Sequence, residues 1–247
     1  MEKVGKYQFM AEPFHCDFDT RLFMGHLGNH LLNAADFHSN DRGFGMVYLK
    51  TINKAWVLSR LAIEMERMPM AYDRFWVETW VESAMRYFTN RNFAITSLDG
   101  RVYGYGRSVW AMIDTTTRQP QNILEVRDGS INDFVERDKP CPIAKSSRVQ
   151  MSPDAPLVRT IDTFYNDVDM NGHINSVKYI EHVLDLWPLD WYRNHQIRRF
   201  EVAYVAESHQ GDRLSLYCEQ TAAGEHCVRI AKDDGTEVVR SKVVFEP

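Results

Sequence analysis

The chain contains its own pattern twice, and a sequence that repeats in this way has to build one architecture two times over. Phe14-His15-Cys16-Asp17-Phe18-Asp19 aligns with Phe164-Tyr165-Asn166-Asp167-Val168-Asp169. A helical apolar pattern follows each, Leu27, Leu31 and Ala34-Ala35 in one half and Ile174, Val177, Ile180 and Leu184 in the other. Pro188 is expected to close the second helix. Strand-like runs come next, Arg60-Leu61-Ala62-Ile63 against Arg199-Phe200-Glu201-Val202, then the pairs Asp73-Arg74 and Asp212-Arg213. Each half turns at Asp-Gly, Asp99-Gly100 and Asp234-Gly235, a hairpin signal, before Arg107-Ser108 or Arg240-Ser241 leads into an apolar strand. So many correspondences in one order do not arise by chance. Each half reads as a strand, a helix and several long antiparallel strands, such as Phe75 to Glu82, Asn92 to Ser97 and Ser108 to Ile113. The fold class is therefore α+β, with a sheet wrapped on one helix in each of two repeats. The expected boundaries are 1–135, a charged and proline-rich linker over 136–156, and 157–247.

Composition excludes several functions. With 247 residues, 44% of them hydrophobic, the chain can bury a large core. Its net charge is -5 with Lys and Arg scattered, which argues against a nucleic-acid or anionic-membrane surface. Cys16, Cys141, Cys218 and Cys227 lack C-x-x-C pairing, so neither a structural zinc site nor a disulfide framework is expected, and a reducing cytosol fits. His26, His30 and His38 have no acidic or cysteine partner at ligand spacing. No metal and no cofactor is expected. The N-terminus lacks the apolar core of a signal peptide and no stretch approaches a membrane span, so a cytoplasmic location is expected. A homodimer is compatible with such a chain.

Chemistry is concentrated just before the second helix. Asp169, Asn171 and His173 alternate, which in an extended segment projects them to one side, and the run meets a helix N-terminus whose N–H groups favour developing negative charge. A chain needing only a cap would place one Ser, Thr, Asp or Asn there, although an Asx-rich turn is the plainer reading. The duplication weighs between them. At the same offset Asp19 matches Asp169, but Arg21 stands for Asn171 and Phe23 for His173, while Glu207 faces Met68. The fold is built twice and these polar residues once.

These residues carry a family resemblance. The run from Asp167 to Ile180, Asp-Val-Asp-Met-Asn-Gly-His-Ile-Asn-Ser-Val-Lys-Tyr-Ile, is similar to the signature of the acyl-acyl carrier protein thioesterases of plants and bacteria. Trp56 to Arg60, Thr79 to Glu82 and Arg107 to Met112 resemble the first half of that family, and Ala203 to Glu207 resembles the strand that delivers its catalytic glutamate. The resemblance implies a double hotdog fold, hydrolysis of fatty acyl thioesters in fatty acid biosynthesis, and an acyl carrier protein as partner. It assigns Asp169, Asn171, His173 and Glu207 to the active site. Plant members have a cysteine after the glutamate where this chain has Ser208, which lacks thiolate chemistry. No G-x-S-x-G motif offers a serine alternative.

A thioester leaves as a thiolate of pKa about 8.5, so its departure needs little protonation. Glu207 or Asp169 would activate water, with Asn171 and backbone N–H groups near Gly172 stabilising the oxyanion. By the same resemblance the first repeat would hold the acyl chain, with Met24, Leu27, Leu31, Trp56 and Trp80 as candidates for its lining. Arg193, Arg198 and Arg199 are candidates for docking an acidic carrier. A coenzyme A thioesterase, a 3-hydroxyacyl-thioester dehydratase and a non-enzymatic acyl-binding module remain open alternatives.

Overall fold

A computed structural model describes residues 2–247, and the chain divides into two compact units, Met1–Lys145 and Ser146–Pro247. In the first, β1 (Gly5–Met10) leads through a short 3-10 turn (Pro13–His15) to α1 (Met24–Asp41) and α2 (Met46–Thr51). Four long strands follow, β2 (Lys54–Met65), β3 (Arg74–Ala84), β4 (Phe88–Ser97) and β5 (Val102–Asp114), and the strands pair antiparallel in the order β1-β3-β4-β5-β2. Alternation sorts the side chains: Phe93 and Ile95 are buried on the face that α1 covers with Leu27, Leu31, Ala34 and Ala35. Gly106 lets the helix come close. A Cβ there would lie 3.1 Å from the Phe93 ring and 3.3 Å from Leu31.

The second unit repeats the plan. β6 (Leu157–Asp162) precedes a 3-10 turn (Tyr165–Asp167), α3 (Ser176–Leu184) and α4 (Leu189–Asn194), then β7 (Gln196–Tyr204), β8 (Arg213–Ala222), β9 (Glu225–Lys232) and β10 (Glu237–Glu246). Its antiparallel order, β6-β8-β9-β10-β7, is that of the first unit. Each unit is a hotdog, and the chain is a double hotdog. The hairpins at Asp99-Gly100 and Asp234-Gly235 match in detail. Gly100 (φ +87°) and Gly235 (φ +82°) take the left-handed conformation, and each N–H returns to the carbonyl three residues back.

One expectation needs correction. Pro188 does not end the second helix: α3 stops at Leu184, and Pro188 sits before the first residue of α4. Proline has no N–H to continue the ladder to Leu184, whose carbonyl instead accepts from the Tyr192 hydroxyl at 2.6 Å. The second helix is thus short and resumed rather than long. The segment 136–156, read as a linker, contains the division between the units and is bonded to each of them. Arg107 donates to the carbonyls of Cys141 (2.7 Å) and Ile143 (2.9 Å), and the indole of Trp80 to that of Lys139 (3.1 Å), strapping 139–143 over the sheet face opposite Phe93. In the second unit Ser147 donates twice to Glu201, and Arg240 reaches the Val149 carbonyl at 3.3 Å. Of the five residues suggested for an acyl lining, Trp80 lies beneath the first strap and Trp56 packs with Phe44 and Leu49 beside α2, apart from Met24, Leu27 and Leu31 of α1. Among the described residues no helix is long and apolar enough to cross a membrane.

Candidate active site

The segment from Asp169 to His173 is a closed turn, not the extended run that its alternation suggests. The Asp169 N–H donates to the His173 carbonyl (2.8 Å) and the Gly172 N–H to the Asp169 carbonyl (3.0 Å), with Gly172 at φ +82°. The aspartate's side chain holds the inside: Oδ1 accepts from the N–H groups of Asn171 (2.8 Å) and His173 (3.4 Å), and Oδ2 from the Asn171 carboxamide (3.3 Å). Short polar side chains win here because they satisfy neighbouring N–H groups better than an extended chain with no sheet partner could. The helix has its own cap, since the Asn175 carboxamide accepts from Val177 N–H at 3.0 Å.

The first unit contains the same turn, bond for bond. Asp17 N–H donates to the Arg21 carbonyl (2.8 Å), Thr20 N–H to the Asp17 carbonyl (2.9 Å), and the Asp17 carboxylate accepts from the N–H groups of Asp19 and Arg21, each at 2.9 Å. Thr20 takes φ +62°, the conformation of Gly172. The bridges Cys16–Leu22 and Val168–Ile174 close the two turns. This moves the repeat by two residues from the register of matching letters: Asp17, not Asp19, is the counterpart of Asp169, Asp19 that of Asn171, and Arg21 that of His173. Identical letters carried the false register, whereas the bonds of the turn fix the true one. The first turn has an ion-pair cluster where the second has an amide and an imidazole, with Arg21 on Asp17 (2.9 Å) and Asp19 (3.1 Å).

Glu207 arrives from the loop between β7 and β8. The Ser208 carbonyl accepts from Ile174 N–H at 2.9 Å, and this sets the Glu207 carboxylate 3.4 Å from His173 Nε2. The two side chains are 38% and 25% exposed, so water can reach both. All four residues expected at the site therefore lie together, in two contacts: Asp169 with Asn171, and His173 with Glu207. The N–H groups near Gly172 are not available to an oxyanion, because those of residues 171 to 173 are all spent on Asp169. Ser208 is fully buried, its hydroxyl 2.5 Å from that of Tyr179, away from any role as a nucleophile. Sequence reading missed His209, whose ring meets His173 edge-on at 5.0 Å. Its counterpart in the repeat is Met70, the same contrast that singles out Glu207.

Of the three histidines near α1, His26 and His30 join one group through His15, whose Nδ1 lies 3.4 Å from Glu12, and His38 stands apart. His26 stacks on His15 at 3.9 Å, His30 lies 3.6 Å from Glu12, and buried His38 donates from Nε2 to the Lys3 carbonyl at 3.0 Å. Burial, then the nearby Arg91 charge, pushes the His38 pKa down to about 3. Among the described residues no group of three or more His, Cys, Asp and Glu is arranged to hold a metal ion. Of the arginines suggested for docking, Arg199 is buried against Glu201 at 2.7 Å and cannot face a partner.

The chain is similar in sequence and fold to known proteins. The family model for the acyl-ACP thioesterase N-terminal domain matches residues 2–128, and that for the C-terminal domain matches residues 152–247. A crystal structure of an acyl-ACP thioesterase from Bacteroides thetaiotaomicron is 53% identical, covering 99% of this chain and 98% of that one, with a TM-score of 0.93. The 12:0-ACP thioesterase from Umbellularia californica shares the fold at 21% identity, covering 99% and 94% of the two chains, with a TM-score of 0.87. A chloroplastic palmitoyl-acyl carrier protein thioesterase of Gossypium hirsutum is 26% identical over 99% of this chain, and a dodecanoyl-[acyl-carrier-protein] hydrolase of Cinnamomum camphora is 26% identical over 89%. The chain spans 64% and 61% of the lengths of these two plant relatives.

Proposed function

Since the chain belongs to the acyl-ACP thioesterase family, we propose that it hydrolyses the thioester of a fatty acyl-acyl carrier protein, releasing free fatty acid and carrier protein in fatty acid biosynthesis. One observation carries the chemistry: a turn that both units build holds, in the second alone, a histidine paired with a carboxylate at 3.4 Å. Glu207 is the base in this reading. Its carboxylate is open to water, whereas both oxygens of Asp169 are engaged in holding the turn. Glu207 takes a proton from water as the oxygen attacks the thioester carbonyl, and His173 keeps the carboxylate in place through Nε2. Asn171 has one amide hydrogen on Asp169, and the second is the donor assigned to the oxyanion. Collapse of the tetrahedral intermediate expels the thiolate, a good leaving group at pKa about 8.5. Asp169 is thus a positioning residue, and the first unit is assigned to the acyl chain.

The test is thiol release from acyl-carrier-protein and acyl-coenzyme A substrates of several chain lengths. Glu207→Gln is expected to lower turnover roughly 10²–10⁴-fold, and Asn171→Ala about 10²–10³-fold. A folded Glu207→Gln variant with full turnover would overturn the assignment.

A further inference from the structure

The comparison between the two units singles out a second polar feature that the chemistry above does not use. Ile174 N–H bonds to the Ser208 carbonyl at 2.9 Å, and in the first unit Leu22 N–H bonds to the Pro69 carbonyl at the same distance. That backbone link is scaffold, because both halves have it. The side chains around it differ. Ser208 stands opposite Tyr179 of α3 with their hydroxyls 2.5 Å apart, and both residues are buried. The turn's register places Leu27 at the position of Tyr179, and the strand register places Pro69 at that of Ser208. Both substitutes are apolar. A third member belongs to the same group: Tyr204 lies edge-on to Tyr179 at 6.1 Å and donates to the Ser176 carbonyl at 2.9 Å, while its counterpart is Met65.

The first unit shows that this part of a hotdog packs without hydroxyls. Burying them costs desolvation that a hydrogen bond only offsets, so their presence in one unit alone calls for a local purpose. Ser208 directly follows Glu207 and has its main chain tied to the turn that carries His173. The His209 side of the loop is tied by Thr163 and Asp212, and a side-chain bond from Ser208 to the helix adds a tie at the residue next to Glu207, which bears on the direction of its carboxylate.

We propose that Tyr179 and Ser208 form a positioning pair that holds Glu207 in reacting orientation, a role that rests on the reading of Glu207 as the base. Tyr179→Phe and Ser208→Ala are each expected to lower kcat roughly tenfold to a hundredfold, because a small misplacement of a reacting group costs about that much, with KM nearly unchanged. Each single variant also strands a buried hydroxyl and loses stability. The double variant Tyr179→Phe/Ser208→Ala removes both hydroxyls, which restores stability but not kcat. A purely structural pair would recover both together, and that result overturns the proposal. In a Glu207→Gln background Tyr179→Phe should cause no further loss of turnover, since the pair acts through Glu207; an added loss of the same size overturns it too. If Glu207→Gln alone keeps full turnover, the underlying assignment fails instead, which separates the two failures.

Discussion

Asp169 and Asp17 do the same work in two turns, yet only one turn is assigned to the chemistry. Removing either carboxylate leaves backbone N–H groups without their acceptor, so Asp17→Ala and Asp169→Ala should each destabilise by about 1–2 kcal/mol. Only Asp169→Ala should reduce thiol release, through the loss of Asn171's alignment. Denaturant midpoints read beside turnover check the pair, and an equal loss of activity in both variants would contradict the division of labour. Asn171, His173 and Glu207 were legible as residues without an identical match in the other half, although the register used for Asn171 and His173 was two positions off. Tyr179 was not, since it sits among Val177, Ile180 and Val183 on the buried stripe of α3, where an aromatic residue passes for core. The partner of Asp169 was misread by two positions for another reason: a turn is defined by which N–H meets which oxygen, and residue identity does not encode that pattern.

The strands and their hairpins were readable because alternation and Asp-Gly turns are local signals. The bonding of segment 136–156 to the sheet was not, because charge and proline content describe a chain's solvation and say nothing of an arginine reaching from elsewhere to bind its carbonyls. Arg107 is that arginine in the first unit, held also by Glu82 at 3.1 Å. Arg107→Leu should destabilise the first unit by about 2 kcal/mol, given hydrogen bonds from a charged donor to buried carbonyls, and should speed proteolytic cutting between residues 136 and 145. Arg240, with a single longer bond to its strap at 3.3 Å and Glu237 as its main partner, should matter less when replaced in the same way. Equal cutting rates in parent and Arg107→Leu protein would show that the strap is held without Arg107, by the Trp80 indole on the Lys139 carbonyl and by the Lys139–Glu78 ion pair at 2.8 Å. The break between α3 and α4 was similarly hidden, since Pro188 signals a boundary without saying which side of it the helix occupies.

At the scale of the molecule, several histidines are folded in their neutral form. Burial is the leading cause that lowers the pKa of His30, His38, His182 and His226, with His38 brought to about 3. A histidine whose folded pKa lies below its unfolded value binds a proton more readily when the chain unfolds. Its stabilisation is complete above the unfolded pKa of about 6.5 and is lost as pH falls toward the folded one. For His38 the slope approaches about 1.4 kcal/mol per pH unit within that window. Stability should therefore drop between pH 7 and pH 5, and His38→Gln, which can still donate to the Lys3 carbonyl, should flatten part of that drop. An unchanged slope in the variant would remove His38 as a cause. The paired turns bear on how such a protein can change over evolutionary time. Each loop is closed by main-chain bonds and one aspartate, so the flanking positions are released from the task of folding and can drift. A copy with an aspartate and an arginine where the other has an amide and an imidazole still closes, and a duplicated chain can specialise one copy without unfolding the other. The same independence makes the first loop a receptacle for redesign, where Asp19→Asn, Arg21→His and Met68→Glu would transplant the second loop's side chains onto a frame already shaped for them.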